Sequence, residues 1–70
     1  MKATYTAVVK ESDGWWIGWI EEVPGVNCQK ATREELIATL EVTLREALAL
    51  NRSEALDAAG EGYEELQIAV

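Results

Sequence analysis

Residues 3–10 alternate in the manner of a strand. Tyr5, Ala7 and Val9 fall on one side, and Thr4, Thr6, Val8 and Lys10 on the other. The run is rich in β-branched and aromatic types and holds no Gly or Pro. Glu11-Ser12-Asp13-Gly14 interrupts it, and Asp-Gly between two such runs predicts a hairpin turning at Gly14. Trp15–Ile20 predicts a second strand, apolar on both sides. Trp15, Ile17 and Trp19 point one way, and Trp16, Gly18 and Ile20 the other. A loop of two or four residues sets Trp16, Gly18 and Ile20 beside Tyr5, Ala7 and Val9, whereas a loop of three sets the other group there. The former is preferred, because Ala7 and Gly18 then stand near each other and leave shallow ground on which a helix can lie.

Glu21-Glu22 breaks the second run, and Pro24-Gly25 predicts the central pair of a type II turn. Residues 26–29 predict a short third strand. Thr32-Arg33-Glu34-Glu35 has the form of a capping box, with Thr32 accepting from the Glu35 backbone N–H and the Glu35 side chain reaching back. A helix is expected from about Arg33 to Leu50 or a little beyond. Its apolar stripe is Leu36, Ile37, Leu40, Leu44, Ala47 and Leu48, at three- and four-residue spacing. Glu41 and Arg45 form an i,i+4 pair off that stripe. Asn51-Arg52-Ser53 weakens the pattern, residues 54–59 allow another turn or two, and Gly60-Glu61-Gly62 ends it. From Tyr63 to Val70 alternation returns, with Leu66, Ile68 and Val70 on one face, which predicts a closing strand. The expected fold is α+β in the order β-β-β-α-β: an antiparallel three-stranded meander, one long amphipathic helix and a closing C-terminal strand. It forms a single domain over residues 1–70.

A count of faces changes the picture. One helical stripe covers one side of a small sheet, so the other side still carries either Trp15, Ile17 and Trp19 or Trp16 and Ile20. Large aromatics bury about 150–250 Å² each, and an apolar patch of that size usually marks an interface. The alternative is one compact core around a curled sheet. A chain of 70 residues buries only about 60% of its unfolded surface and commonly needs a disulfide, a metal or a second subunit. One cysteine, Cys28, and no histidine leave no intrachain disulfide and no Cys/His zinc spacing. Association is the remaining means, so a homodimer or higher oligomer is expected. Trp15, Ile17 and Trp19 form the candidate partner-binding or oligomer face, with Glu11, Glu21 and Glu22 as its acidic flank. Gly14, Gly18, Pro24, Gly25, Thr32 and Glu35 are read as structural.

Six basic against 13 acidic residues give a net charge of −7. That opposes direct DNA binding, which draws on Lys and Arg displacing counterions. No apolar run approaches the ~20 residues of a membrane span, and the start of the chain lacks the apolar core of a signal peptide. A reducing, cytoplasmic setting is expected. Without histidine the commonest general base is absent, and nothing cationic is fixed beside Cys28 to activate it; it is read as a buried structural thiol. The paired acids Glu21-Glu22, Glu34-Glu35 and Glu64-Glu65 are read as solvated surface. No catalytic activity, metal or cofactor is expected.

Tyr5-Thr-Ala-Val-Val-Lys-Glu-Ser-Asp-Gly14, Trp16-Ile-Gly-Trp-Ile20, Val23-Pro24-Gly25 and Thr32-x-x-Glu-Glu35-Leu36 together resemble the HicB-like antitoxin family. The resemblance covers about residues 4–50. It implies a truncated ribonuclease-H-type fold in β-β-β-α-β order. It also implies assembly into dimers or higher oligomers, and masking of a small basic toxin that cleaves messenger RNA. Trp15, Glu21 and Val26 depart from residues common in the family, and Lys30-Ala31 replaces a usual Gly-Asp. The DNA-binding domain that many members carry does not follow Gly62, so autorepression is not carried over. A nuclease is not implied, because the first strand has no acid in its interior to hold a metal. Two functions are therefore carried forward: an antitoxin that binds a small basic RNA-cleaving toxin, and a stand-alone self-associating domain with a small-ligand or regulatory role.

Overall fold

The computed structural model describes residues 4–69. Its elements are β1 (Ala7–Ser12), β2 (Trp15–Ile20), β3 (Asn27–Lys30) and α1 (Arg33–Ala59). The three strands form one antiparallel sheet in the order β1-β2-β3, so the fold is α+β with a β-β-β-α order.

The hairpin uses the shorter of the two compatible loops. Asp13 and Gly14 both take positive φ, 52° and 81°, as a two-residue type I′ turn demands. Glu11 and Ser12 thereby join the ladder, opposite Trp16 and Trp15. At its other end β1 starts later than residue 3. The Thr6 N–H donates to the Glu22 carboxylate at 2.7 Å, while the Thr6 carbonyl still accepts from Glu21 N–H at 2.9 Å. Trp16, Gly18 and Ile20 share a face with Ala7 and Val9, as the loop parity requires. The residue opposite Gly18, however, is Val9 and not Ala7, because the shorter loop slides the pairing by two.

Gly25 has φ 93°, and Val26 N–H donates to the Val23 carbonyl at 3.4 Å. This is the type II turn that Pro24-Gly25 calls for. It tucks Val23 and Val26 into the core beside Ile20, Leu36 and Leu40. Thr32 caps α1, its hydroxyl accepting from Glu35 N–H at 3.2 Å, a contact generally worth about 1 kcal/mol. The reciprocal half of the capping box is not formed: Glu35 is exposed, its carboxylate left to solvent. Glu41 and Arg45 pair at 2.7 Å on the outer surface.

Towards the C-terminus one expectation is met at its outer limit and another fails. The helix takes the further turns that residues 54–59 allow, running unbroken through Asn51-Arg52-Ser53 to Ala59. The modest propensity cost of Asn and Ser, a few tenths of a kcal/mol each, is outweighed by flanking Ala, Leu, Glu and Arg. It stops where Gly60 takes φ 72° and donates its N–H to the Leu56 carbonyl at 3.2 Å. The closing strand is absent: residues 63–69 are extended in sequence pattern but pair with no strand and are exposed throughout. Val70 lies outside the described residues.

The long helix and the missing strand have one cause. Twenty-seven residues of helix span about 40 Å, whereas the packed positions run only from Leu36 to Leu48. The second half of α1 projects past the sheet, and the tail turns back along the helix to bring Glu65 within 3.2 Å of Arg52 without joining the sheet. The radius of gyration is accordingly 15.2 Å, with extents of 51 × 23 × 15 Å, where a compact chain of this length would have about 11 Å.

Candidate protein-binding face

Helix α1 lies across β2 and β3 on the face that holds Val9, Trp16, Gly18, Ile20 and Cys28. Leu36 and Leu40 fill the ground above Gly18. Among the described residues nothing covers the opposite face. It consists of Val8, Lys10 and Ser12 from β1, Trp15, Ile17 and Trp19 from β2, and Asn27 and Gln29 from β3, paired as Val8↔Trp19, Lys10↔Ile17, Ser12↔Trp15, Trp19↔Asn27 and Ile17↔Gln29. Trp15 and Trp19 are 48% and 40% exposed, while Val8 and Ile17 are half-buried between neighbours. The two indoles alone leave on the order of 200 Å² of apolar surface in water. That area is the size of an interface anchor and well short of the roughly 800 Å² per partner of a standard interface.

The acidic flank is only partly assembled. Glu21 follows Trp19 in the β2 alternation and stands at that end of the face. Glu22 is engaged by Thr6 N–H. Glu11 pairs with Trp16 and so belongs to the helix-covered face, which separates it from Trp15, Ile17 and Trp19. The shortened hairpin is responsible, since it places Glu11 inside the ladder. Three residues escaped the sequence reading. Val8 joins Trp19 directly, Lys10 stands between the two indoles diagonally, and exposed Asp13 flanks Trp15 at the turn. The Asp-Gly pair held the signal for the first two, since a two-residue loop fixes their partners.

Cys28 is half-buried on the helix side, 3.7 Å from the Thr43 hydroxyl. Among the described residues no three of Cys, Asp and Glu gather as a metal would require. No helix there is long and apolar enough to cross a membrane.

The Thr6 amide holds the Glu22 carboxyl below its usual 4.5 by donating to the charged form. The sign follows. A depressed folded-state pKa means that this contact stabilises above the unfolded value and is lost as pH falls through the lower folded one. The Thr6 amide proton should therefore shift with a midpoint below 4.5 in an NMR titration, and the transition should vanish in Glu22→Gln. A midpoint at or above the ordinary glutamate value would mean that the contact does not form in solution.

Comparisons with protein-family models, curated proteins and solved structures give no match to this chain.

Proposed function

We propose that this chain is a non-catalytic protein-binding domain, the antitoxin of a pair whose toxin is a small basic RNA-cleaving protein. The observation that carries the reading is the uncovered sheet face, where Trp15 and Trp19 remain about half in water. Trp is the residue type that most often anchors an interface. The HicB-like motifs at residues 5–14, 16–20, 23–25 and 32–36 supply the partner class. The net charge of −7 suits a basic partner. The same reading has the chain working as an oligomer in a reducing, cytoplasmic setting, without DNA contacts of its own.

The test begins with the adjacent reading frame, which should encode a small basic protein that cleaves RNA. Added to that toxin, the chain should stop cleavage at stoichiometric amounts. A Trp15→Ala/Trp19→Ala variant, first checked to be folded and unchanged in oligomeric state, should bind about 2 kcal/mol more weakly, roughly 30-fold. Full inhibition by that variant would move the toxin site off this face. An adjacent frame with no such toxin would leave the self-associating domain as the surviving function.

A further inference from the structure

We infer that the uncovered sheet face turns away a second copy of this chain and takes a foreign protein whose footprint is apolar at its centre and cationic at both ends. The inference deepens the reading above, from which it takes only that this face binds protein. It starts from where the charges stand. Asp13 lies beyond Trp15 at the hairpin turn and Glu21 lies beyond Trp19, both exposed. From Trp15 to Glu21 is six residues of extended chain, about 20 Å. Between the two acids run Trp15, Ile17 and Trp19. Among the described residues the one cation on the face is Lys10, which stands at its middle, paired with Ile17. The face is therefore acidic at each end and apolar along its centre.

A second copy meets that layout badly. Two sheets pack face to face with their strands near alignment. A two-fold axis running along the strands would set Asp13 over its own counterpart and Glu21 over its own. An axis running across them would set Asp13 over the other copy's Glu21, and Lys10 over Lys10. Both bring carboxylate to carboxylate at each end, and like charges so placed oppose association. A right-angled crossing avoids this only by overlapping less of each sheet. The apolar area does not override the charges, since the two indoles leave on the order of 200 Å² where a stable dimer needs roughly 800 Å² from each partner.

The chain's own tail is excluded on the same ground. Residues 60–69 carry Glu61, Glu64 and Glu65 and no base, and α1, from which they lead, packs on the other face of the sheet. A basic partner reverses these signs. Its cations would meet Asp13 and Glu21 while an aliphatic or aromatic centre covers the indoles, and an acceptor such as a carboxylate or carbonyl would lie over Lys10. For such a partner the charges add to the small apolar anchor instead of opposing it. Self-association of the chain then uses another surface.

Sedimentation of the full chain and of its Trp15→Ser/Trp19→Ser variant should give the same association state at tens of micromolar. A wild-type monomer supports the inference without the variant. A wild-type dimer that the double substitution dissociates would overturn it, whatever the adjacent frame encodes. Binding is tested by NMR with a defined probe, a synthetic peptide in which lysines flank a central leucine pair. Its addition should shift the indole N–H signals of Trp15 and Trp19 and leave in place that of Trp16, which packs on the helix side. Asp13→Asn/Glu21→Gln keeps a residue suited to the turn and should weaken this binding roughly threefold or more, while Lys10→Gln should tighten it. Shifts confined to residues 61–65 would mean that the peptide reads only the acidic tail, and they would overturn the inference. An affinity unchanged or raised by Asp13→Asn/Glu21→Gln would do the same. If the indoles respond as stated but the adjacent frame encodes no toxin, the partner class of the reading above falls and the charge layout of the face stands.

Discussion

Leu36→Ala should abolish most of the folded population at moderate denaturant and lower the urea midpoint further than any other single truncation in this chain. Leu36 is fully buried, and of the large side chains Leu40, at 2% exposure, comes next. Truncation of such a leucine costs about 2–5 kcal/mol, through lost transfer energy and the cavity left behind. A domain of this size holds roughly 4–10 kcal/mol in total, so one side chain governs a large share of it. The dependence is acute because, among the described residues, the core has just five buried side chains, Ile20, Val23, Val26, Leu36 and Leu40. Val42→Ala is the control. Its side chain is 56% exposed on the same helix, and its effect should stay within about 0.5 kcal/mol. Both midpoints should be taken at one protein concentration, since association would add to apparent stability. Equal midpoints for the two variants would mean that α1 does not pack on the sheet through Leu36.

Local chemistry was legible in the sequence, and distance was not. Asp13-Gly14, Pro24-Gly25 and Thr32 each act within four residues, and the backbone at each does what the residue types require. The face assignment of Trp15, Ile17 and Trp19 followed from loop parity, which a two-residue period makes decisive. The slip of Val9 into the place expected for Ala7 has the same origin, because parity fixes the face but leaves the register free by two. The fate of residues 63–69 depends on how far a helix outruns a sheet. Alternation at Leu66 and Ile68 states that the segment suits a strand, and says nothing about which sheet receives it. Glu11 was misplaced for a related reason, since its membership of the Trp face depended on whether it lay in the loop or the ladder.

Gly18→Val should cost about 3 kcal/mol, the upper end for overpacking a filled core, and Gly18→Ala about 1 kcal/mol. A Cβ built on Gly18 lies 3.0 Å from both Leu40 Cδ1 and Val9 Cγ1, and 3.1 Å from Leu36 Cδ2. One methyl group asks its neighbours to give by a few tenths of an ångström. A valine adds two further methyl groups against the same walls, and Gly18 sits on the central strand, where neither flanking strand can move aside alone. The gain in strand propensity from glycine to valine, at most about 1 kcal/mol, reduces this loss without reversing it. The decisive measurement is a double-mutant cycle with Leu40→Ala. Truncation of Leu40 removes the wall that the valine meets, so the Gly18→Val/Leu40→Ala variant should be more stable than the two single losses predict, by about 1 kcal/mol or more. Strict additivity would show that Leu40 does not lie over Gly18, and the placement of α1 across β2 would fall with it.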